Sequence, residues 1–250
     1  MNLSFENKVV LITGASRGIG RAIAIGMAKA GADVVIASRK ISDLEKVAEE
    51  INKTGGKCLP FTAHIGKMEE INTLVQNVLK EFGKIDVLIN NAATNPTMAS
   101  AIDVDDRAWD SIMNLNLKGL FFLSQAVARI MKKKGGGKII NVASIAGITP
   151  DILPVYSISK AAVIMATKVM AQQWAVYNIR VNAIAPGLTK TRFSEALWKN
   201  QDILNVAMSR TPLGRPAEPE EMVGAVIYLA SDESSYVTGQ VLAIDGGMTI

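Results

Sequence analysis

The chain is poor in residues that make covalent or metal cross-links. Its 250 residues include one cysteine, Cys58, and one histidine, His64. A single thiol cannot close an internal disulfide, so a secreted disulfide scaffold is excluded. One histidine with no second His and no Cys/Glu cluster beside it supplies no zinc set, and no metal site is expected. Asp103, Asp105, Asp106 and Asp110 crowd a helix start, where acidic groups suit the dipole. No stretch of 18 apolar residues free of charge occurs, so no segment is expected to span a bilayer. Nor is there much charge of one sign: 27 Lys and Arg against 23 Asp and Glu leave +4. That excess can help an anionic ligand approach, but no basic arm or aromatic-interleaved stripe accompanies it, so nucleic acid is not an expected partner. The basic run Lys132-Lys133-Lys134 reads as the end of a helix, where cations meet the negative dipole end. Residues 1–8 are polar with no apolar signal core, and the expected location is cytoplasmic.

What the chain does have is 49% hydrophobic residues in a regular alternation. Short β-branched runs fall at 8–13, 33–38, 57–62, 85–90, 138–144, 179–186 and 241–245. Helical patterns fall between them at 18–30, 42–54, 67–82, 105–134, 154–177 and 219–230. Runs such as Val9-Val10-Leu11-Ile12, with no polar alternation, suit strands buried on both faces. Seven strands alternating with six helices predict an α/β fold: a Rossmann-like, doubly wound, seven-stranded parallel sheet with helices on both faces. Residues 1–250 are expected to form a single dinucleotide-binding domain. One excursion, at about 188–218, breaks the rhythm with an amphipathic piece at 193–208. A connection of this length is expected to be a substrate lid; the rival is a packed surface insertion.

The first strand runs into Thr13-Gly14-Ala15-Ser16-Arg17-Gly18-Ile19-Gly20, and a helix follows. Glycines there let backbone N–H groups approach a pyrophosphate at a helix N-terminus. The spacing is Gly-x-x-x-Gly-x-Gly, so the expectation rests on the strand–turn–helix context. The second strand ends Ser38-Arg39-Lys40, without the carboxylate that usually bonds the ribose of NAD. Arg17 and Arg39 together suit a 2′-phosphate, which points to NADP(H). Further along, Tyr156 and Lys160 stand at i and i+4 and share a helix face. A nearby ammonium favours a phenolate and equips such a Tyr to exchange a proton with a carbonyl or alcohol. Ser144 lies 12 residues before Tyr156, at a strand end, where it could hold the carbonyl oxygen.

With these pieces, Asn90-Asn91-Ala92-Ala93, Asn116-Leu117, Pro186-Gly187 and Asp245-Gly246-Gly247, the whole chain resembles the short-chain dehydrogenase/reductase family. The resemblance implies that Tyr156 is the general acid/base and that Ser144 orients the substrate. It implies that Lys160 binds nicotinamide ribose hydroxyls and lowers the Tyr156 pKa, and that Asn116 holds a water continuing a proton relay. Cofactor contacts are implied at Gly14, Ser16, Arg17, Gly18, Ile19 and Gly20, at Ser38 and Arg39, and at His64 and Ile65. They continue at Asn90 and Ala92, at Tyr156 and Lys160, and at Pro186, Gly187 and Thr189, with Thr189 on the carboxamide. Within the family, the segments Ala63-His64-Ile65-Gly66-Lys67 and Pro186-Gly187-Leu188-Thr189-Lys190-Thr191-Arg192-Phe193-Ser194 look similar to those of carbonyl and retinal reductases. The full length is also similar to bacterial 3-oxoacyl-carrier-protein reductases, and both groups imply a homotetramer.

Two places depart from the family pattern. His64 stands where an Asp often bonds the adenine amino group, and adenine contact and plain loop structure both remain open for it. The Ser144-to-Tyr156 interval is one residue shorter than is common, which should reshape a pocket wall. The expected activity is NADP(H)-dependent reduction of a small-molecule carbonyl to an alcohol. The alternatives are a 3-oxoacyl thioester reductase or alcohol dehydrogenase with the same machinery, and a cofactor-binding scaffold without turnover.

Overall fold

The computed structural model describes residues 3–250. All seven strands are parallel, in the order β3-β2-β1-β4-β5-β6-β7. They are β1 (Val9–Thr13), β2 (Asp33–Ser38), β3 (Lys57–Thr62), β4 (Val87–Asn90), β5 (Gly137–Val142), β6 (Ile179–Pro186) and β7 (Val241–Ile244). Every residue of β1 and β4 is buried, which is why these strands read as unbroken apolar runs. Chain reversal lies between β1 and β4, so the carboxyl ends on either side of that point open a crevice.

Helices cover both faces. One core joins Ile12, Ile36 and Ile89 to α1 (Gly18–Lys29), α2 (Ile41–Lys53) and α9 (Val223–Ala230) through Ile23, Met27, Leu44 and Val226. The other joins Leu11, Val35 and Leu88 to α3 (Met68–Phe82), α5 (Leu120–Lys134) and α6 (Pro154–Trp174) through Leu74, Leu123 and Val163. Fully burying side chains of this size contributes about 1.5–3 kcal/mol each. Lys132, Lys133 and Lys134 fill the last turn of α5, as their sequence predicts. Among the described residues no helix is long and apolar enough to cross a membrane.

The expected helix over 105–134 is three pieces: α4 (Asp106–Met113), a π-turn (Asn114–Gly119) and α5. The end of the π-turn meets a contact from far along the chain. A Cβ on Gly119 would stand 2.1 Å from the Ile65 carbonyl oxygen, so the backbones meet where only glycine fits. The π-turn turns Asn116 inward, to 1% exposure. Two other expected helices begin or end in single 3-10 turns, Ala175–Tyr177 and Pro219–Met222. The amphipathic piece at 193–208 divides into α7 (Glu195–Trp198) and α8 (Gln201–Ser209).

Candidate active site

The glycine turn closes the end of β1 and opens α1. Gly14 and Gly18 take φ of 64° and 55°, and the Gly14 N–H donates to the Ala37 carbonyl at 2.8 Å. Gly20 is required by close approach: a Cβ there would lie 2.5 Å from the Gly14 oxygen and 2.4 Å from Asn91 Nδ2. That amide donates to the Thr13 and Gly14 carbonyls at 3.0 Å each, while Thr13 Oγ1 accepts from the Asn91 and Ala92 N–H groups at 3.1 Å. Thr13 and Asn91 thus staple the turn to the end of β4, a role the sequence reading missed. Asn90 points the other way. Its Nδ2 donates to Ser124 Oγ at 2.8 Å and Asn141 Oδ1 at 2.9 Å, and Asn141 donates to Thr167 at 2.8 Å. Asn90 is 3% exposed, so its side chain braces the sheet rather than lining the crevice.

Arg17 is the extended residue before α1, and Arg39 follows β2; both are exposed. Among the described residues neither forms an ion pair, whereas Arg21 and Arg215 do. The turn therefore combines a backbone cradle, a helix N-terminus and two unpaired guanidiniums, a donor set that fits a nucleotide carrying an added phosphate.

Across the crevice, Ser144 caps the short turn after β5, its Oγ accepting the Ala146 N–H at 3.1 Å. Its hydroxyl stands close enough to the Tyr156 oxygen to lower the pKa of that group. Lys160 is 2% exposed; Nζ donates to the Val142 carbonyl at 2.7 Å and lies 5.6 Å from the centre of the Tyr156 ring. Burial pushes Tyr156 up to about 12, with the Ser144 hydroxyl pulling the other way and the Asp151 charge adding to the rise. Burial brings Lys160 down to about 8. Asn116 donates from Nδ2 to the Thr94 carbonyl and Ser159 Oγ, each at 3.1 Å, and its Oδ1 accepts the Thr94 N–H at 2.8 Å. Ser159 in turn donates to the Tyr156 carbonyl at 2.7 Å. The side chain of Asn116 therefore ties the loop after β4 to α6.

Residues 14–249 match the family model described as enoyl-(acyl carrier protein) reductase. The 3-oxoacyl-[acyl-carrier-protein] reductase of Thermotoga maritima is 41% identical, over 99% of this chain and all of its own. The chain is a member of the short-chain dehydrogenase/reductase family. Dehydrogenase/reductase SDR family member 4 of Oryctolagus cuniculus is 39% identical over 96% of this chain and 93% of its own. A gluconate 5-dehydrogenase from Burkholderia cenocepacia J2315, solved in complex with NADP and tartrate, superposes with a TM-score of 0.95. It is 34% identical and covers 99% of this chain and 97% of that one.

In this short-chain dehydrogenase/reductase the segment after β6 has an anchored part and a loosely held part. Thr189 Oγ1 donates to the Gly187 carbonyl at 3.0 Å, Ser194 donates to the Thr189 carbonyl, and Trp198 Nε1 donates to the Thr191 carbonyl at 3.0 Å. This turn sets the Phe193 ring 5.6 Å from the Tyr156 ring at 43°, a contact the sequence did not signal. By contrast, α8 has no buried residue. Amide exchange should be slow at Lys190 and Ala217, which bond across the anchor, and fast along α8 until cofactor and a substrate analogue are added. Strong protection of α8 in the ligand-free protein would make the segment a fixed insertion.

Proposed function

We propose that this short-chain dehydrogenase/reductase is an NADP(H)-dependent oxidoreductase that reduces a ketone or aldehyde to an alcohol. The observation carrying this reading is the buried Lys160 side chain 5.6 Å from the centre of the Tyr156 ring, with the Ser144 hydroxyl beside the Tyr156 oxygen. Bound nicotinamide supplies a hydride to the carbonyl carbon. Ser144 donates to the carbonyl oxygen and holds it beside Tyr156. As the C=O electron pair becomes an alkoxide, that oxygen takes the Tyr156 proton, and Lys160 stabilises the phenolate left behind. Lys160 Nζ spends one of its donors on Val142, leaving others for ribose hydroxyls. Thr189 spends its proton on Gly187 and keeps acceptor capacity for an amide. The Asn116 side chain is committed to Thr94 and Ser159, so a relay water would be held by the backbone of the π-turn.

Exposed apolar residues flank this centre: Phe193 on Tyr156, and Ile148 and Ile152 in the chain joining Ser144 to Tyr156. This rim favours an apolar ketone over a polyhydroxy acid. NADPH oxidation with apolar ketones, a β-ketoacyl thioester and a keto-acid sugar tests the reading. Fastest turnover of apolar ketones supports it; tight NADPH binding with no turnover would leave a scaffold.

The preference for NADP(H) rests on Arg17 and Arg39 and is supported by the NADP in the Burkholderia relative. Arg39→Ala should weaken NADPH binding about 10- to 100-fold and leave NADH nearly alone, the scale of a charge-assisted bond. Equal wild-type affinity for the two cofactors, measured by titration, contradicts this. A homotetramer is proposed because Met165 and Val169 on α6, and Leu242 on the edge strand β7, are apolar and exposed. Light scattering should give about four times the 26.7 kDa chain mass, and a monomer mass would refute the assembly.

A further inference from the structure

Asp151 is the one charged residue in the stretch that joins Ser144 to Tyr156, and both ends of that stretch are fixed. After Ser144, the Ile145 carbonyl accepts the Ile148 and Thr149 N–H groups at 2.8 and 2.9 Å. A Cβ on Gly147 would lie 2.5 Å from the Lys160 carbonyl carbon, so this turn sits directly on the backbone of α6. At the other end Leu153 is 5% exposed, and its carbonyl accepts both the N–H and the hydroxyl of Ser157, each at 2.9 Å. Only Pro150, Asp151 and Ile152 remain between these anchors, and all three are exposed. A span this short has little slack with which to carry Asp151 away from the site.

Asp151 enters α6 from the side toward which Tyr156 leans. Tyr156 lies in the first turn of α6, and the Cα–Cβ bonds of a helix tilt toward its N-terminus. The Asp151 charge reaches the Tyr156 hydroxyl and opposes its ionisation. Its carboxylate accepts the Ile152 N–H at 2.6 Å, and among the described residues no Lys, Arg or His pairs with it. The acidic group across the rim is answered already: Glu195 pairs with Lys199 and feels the Arg192 charge. Carbonyl reduction builds negative charge here, first on the substrate oxygen and then on Tyr156. A fixed anion beside them opposes that chemistry unless the substrate brings a positive charge to it.

We propose that Asp151 selects the substrate by accepting a hydrogen bond from the ammonium of an amino ketone. The apolar body of such a ketone lies on the exposed Ile148, Ile152 and Phe193, while its carbonyl meets Ser144 and Tyr156. The same carboxylate repels ketones that carry an anionic group. The inference rests on the carbonyl-reduction reading above and names its substrate class, and the experiment separates the two.

Dimethylaminopropiophenone, protonated at neutral pH, and its hydrocarbon isostere, with CH in place of NH, match in shape and differ in charge. In the native enzyme kcat/KM for the amine should exceed that for the isostere about 5-fold, the upper scale of an exposed ion pair, and added salt should shrink the ratio. The dissociation constants of the two ketones from the NADP+ complex, where no hydride is available, should differ by the same ratio. Asp151→Asn keeps an acceptor for the Ile152 N–H and removes the charge, so both ratios should fall to about one. Equal turnover of the two ketones by the native enzyme overturns the proposal and leaves carbonyl reduction standing. A preference for the amine that survives in the Asn variant also overturns it, since another group then holds the ammonium. Turnover of neither ketone by the NADPH-bound enzyme overturns the proposal together with the reading it rests on.

Discussion

Tyr156→Phe should reduce kcat by about 100-fold or more while leaving NADPH affinity nearly unchanged. The substitution removes one oxygen and its proton and keeps the ring that packs against Phe193. The remaining ring still fills its place between Lys160 and Phe193, so the cofactor crevice keeps its walls. What is lost is the proton donor for the alkoxide, and positioned acid catalysis is worth about 10²–10⁴ in rate. Because burial holds Tyr156 at about 12, the hydroxyl is protonated at neutral pH and ready to donate. A Phe variant that retained about a tenth of wild-type kcat, assayed with a ketone turned over by the native enzyme, would remove Tyr156 from the chemistry.

Lys160 should show the second large effect, and a pH dependence with a definite sign. With its pKa brought from 10.5 down to about 8, Nζ is charged below that pH and loses its charge above it. In carbonyl reduction kcat/KM for NADPH reports groups of the free enzyme, so it should be level below about pH 8 and fall as pH rises through it. Lys160→Met should lower kcat/KM at pH 7 by about 100-fold, since the phenolate then forms without a neighbouring cation, and the descending limb should vanish. A limb unchanged in the variant would assign the titration to another group. Stability of the cofactor-free protein provides an independent check. The folded-state pKa is below the unfolded one, so between about 8 and 10.5 the unfolded chain binds a proton that the folded chain does not. Lys160 therefore makes the fold gain stability as pH rises through that window, and the Met variant should lose this contribution to the slope.

The central strands were legible because both faces are covered, so each appears as an apolar run; the edge strands β3 and β7 are only partly buried and showed through their alternation with helices. Tyr156 and Lys160 were legible because a helix fixes the i,i+4 relation, and Ser144 because it follows a recognisable strand. The π-turn was not, since the contact at its end is with Ile65, more than 50 residues from Gly119 in the chain. Phe193 reads from the sequence as apolar surface of the loop, but its contact with Tyr156 does not, since that depends on hydroxyl and indole bonds inside a loop with no period. Asn90 and Asn91 are instructive. β4 ends at Asn90, so its side chain still belongs to the sheet, whereas Asn91 lies past the strand and reaches the glycine turn. Nothing in the sequence told that His64 Nδ1 would accept the Gly66 N–H of its own loop.

The shallow seating of α7 and α8 bears on how such an enzyme can change over evolutionary time. No residue of either helix is buried, so substitutions there, Trp198 with its bond to Thr191 aside, meet few fixed neighbours and should mostly shift stability by less than about 0.5 kcal/mol. These two helices are therefore a stretch on which neither core depends. On the function proposed above, new substrate preferences can accumulate in it one residue at a time, with Tyr156, Lys160 and the sheet left as they are.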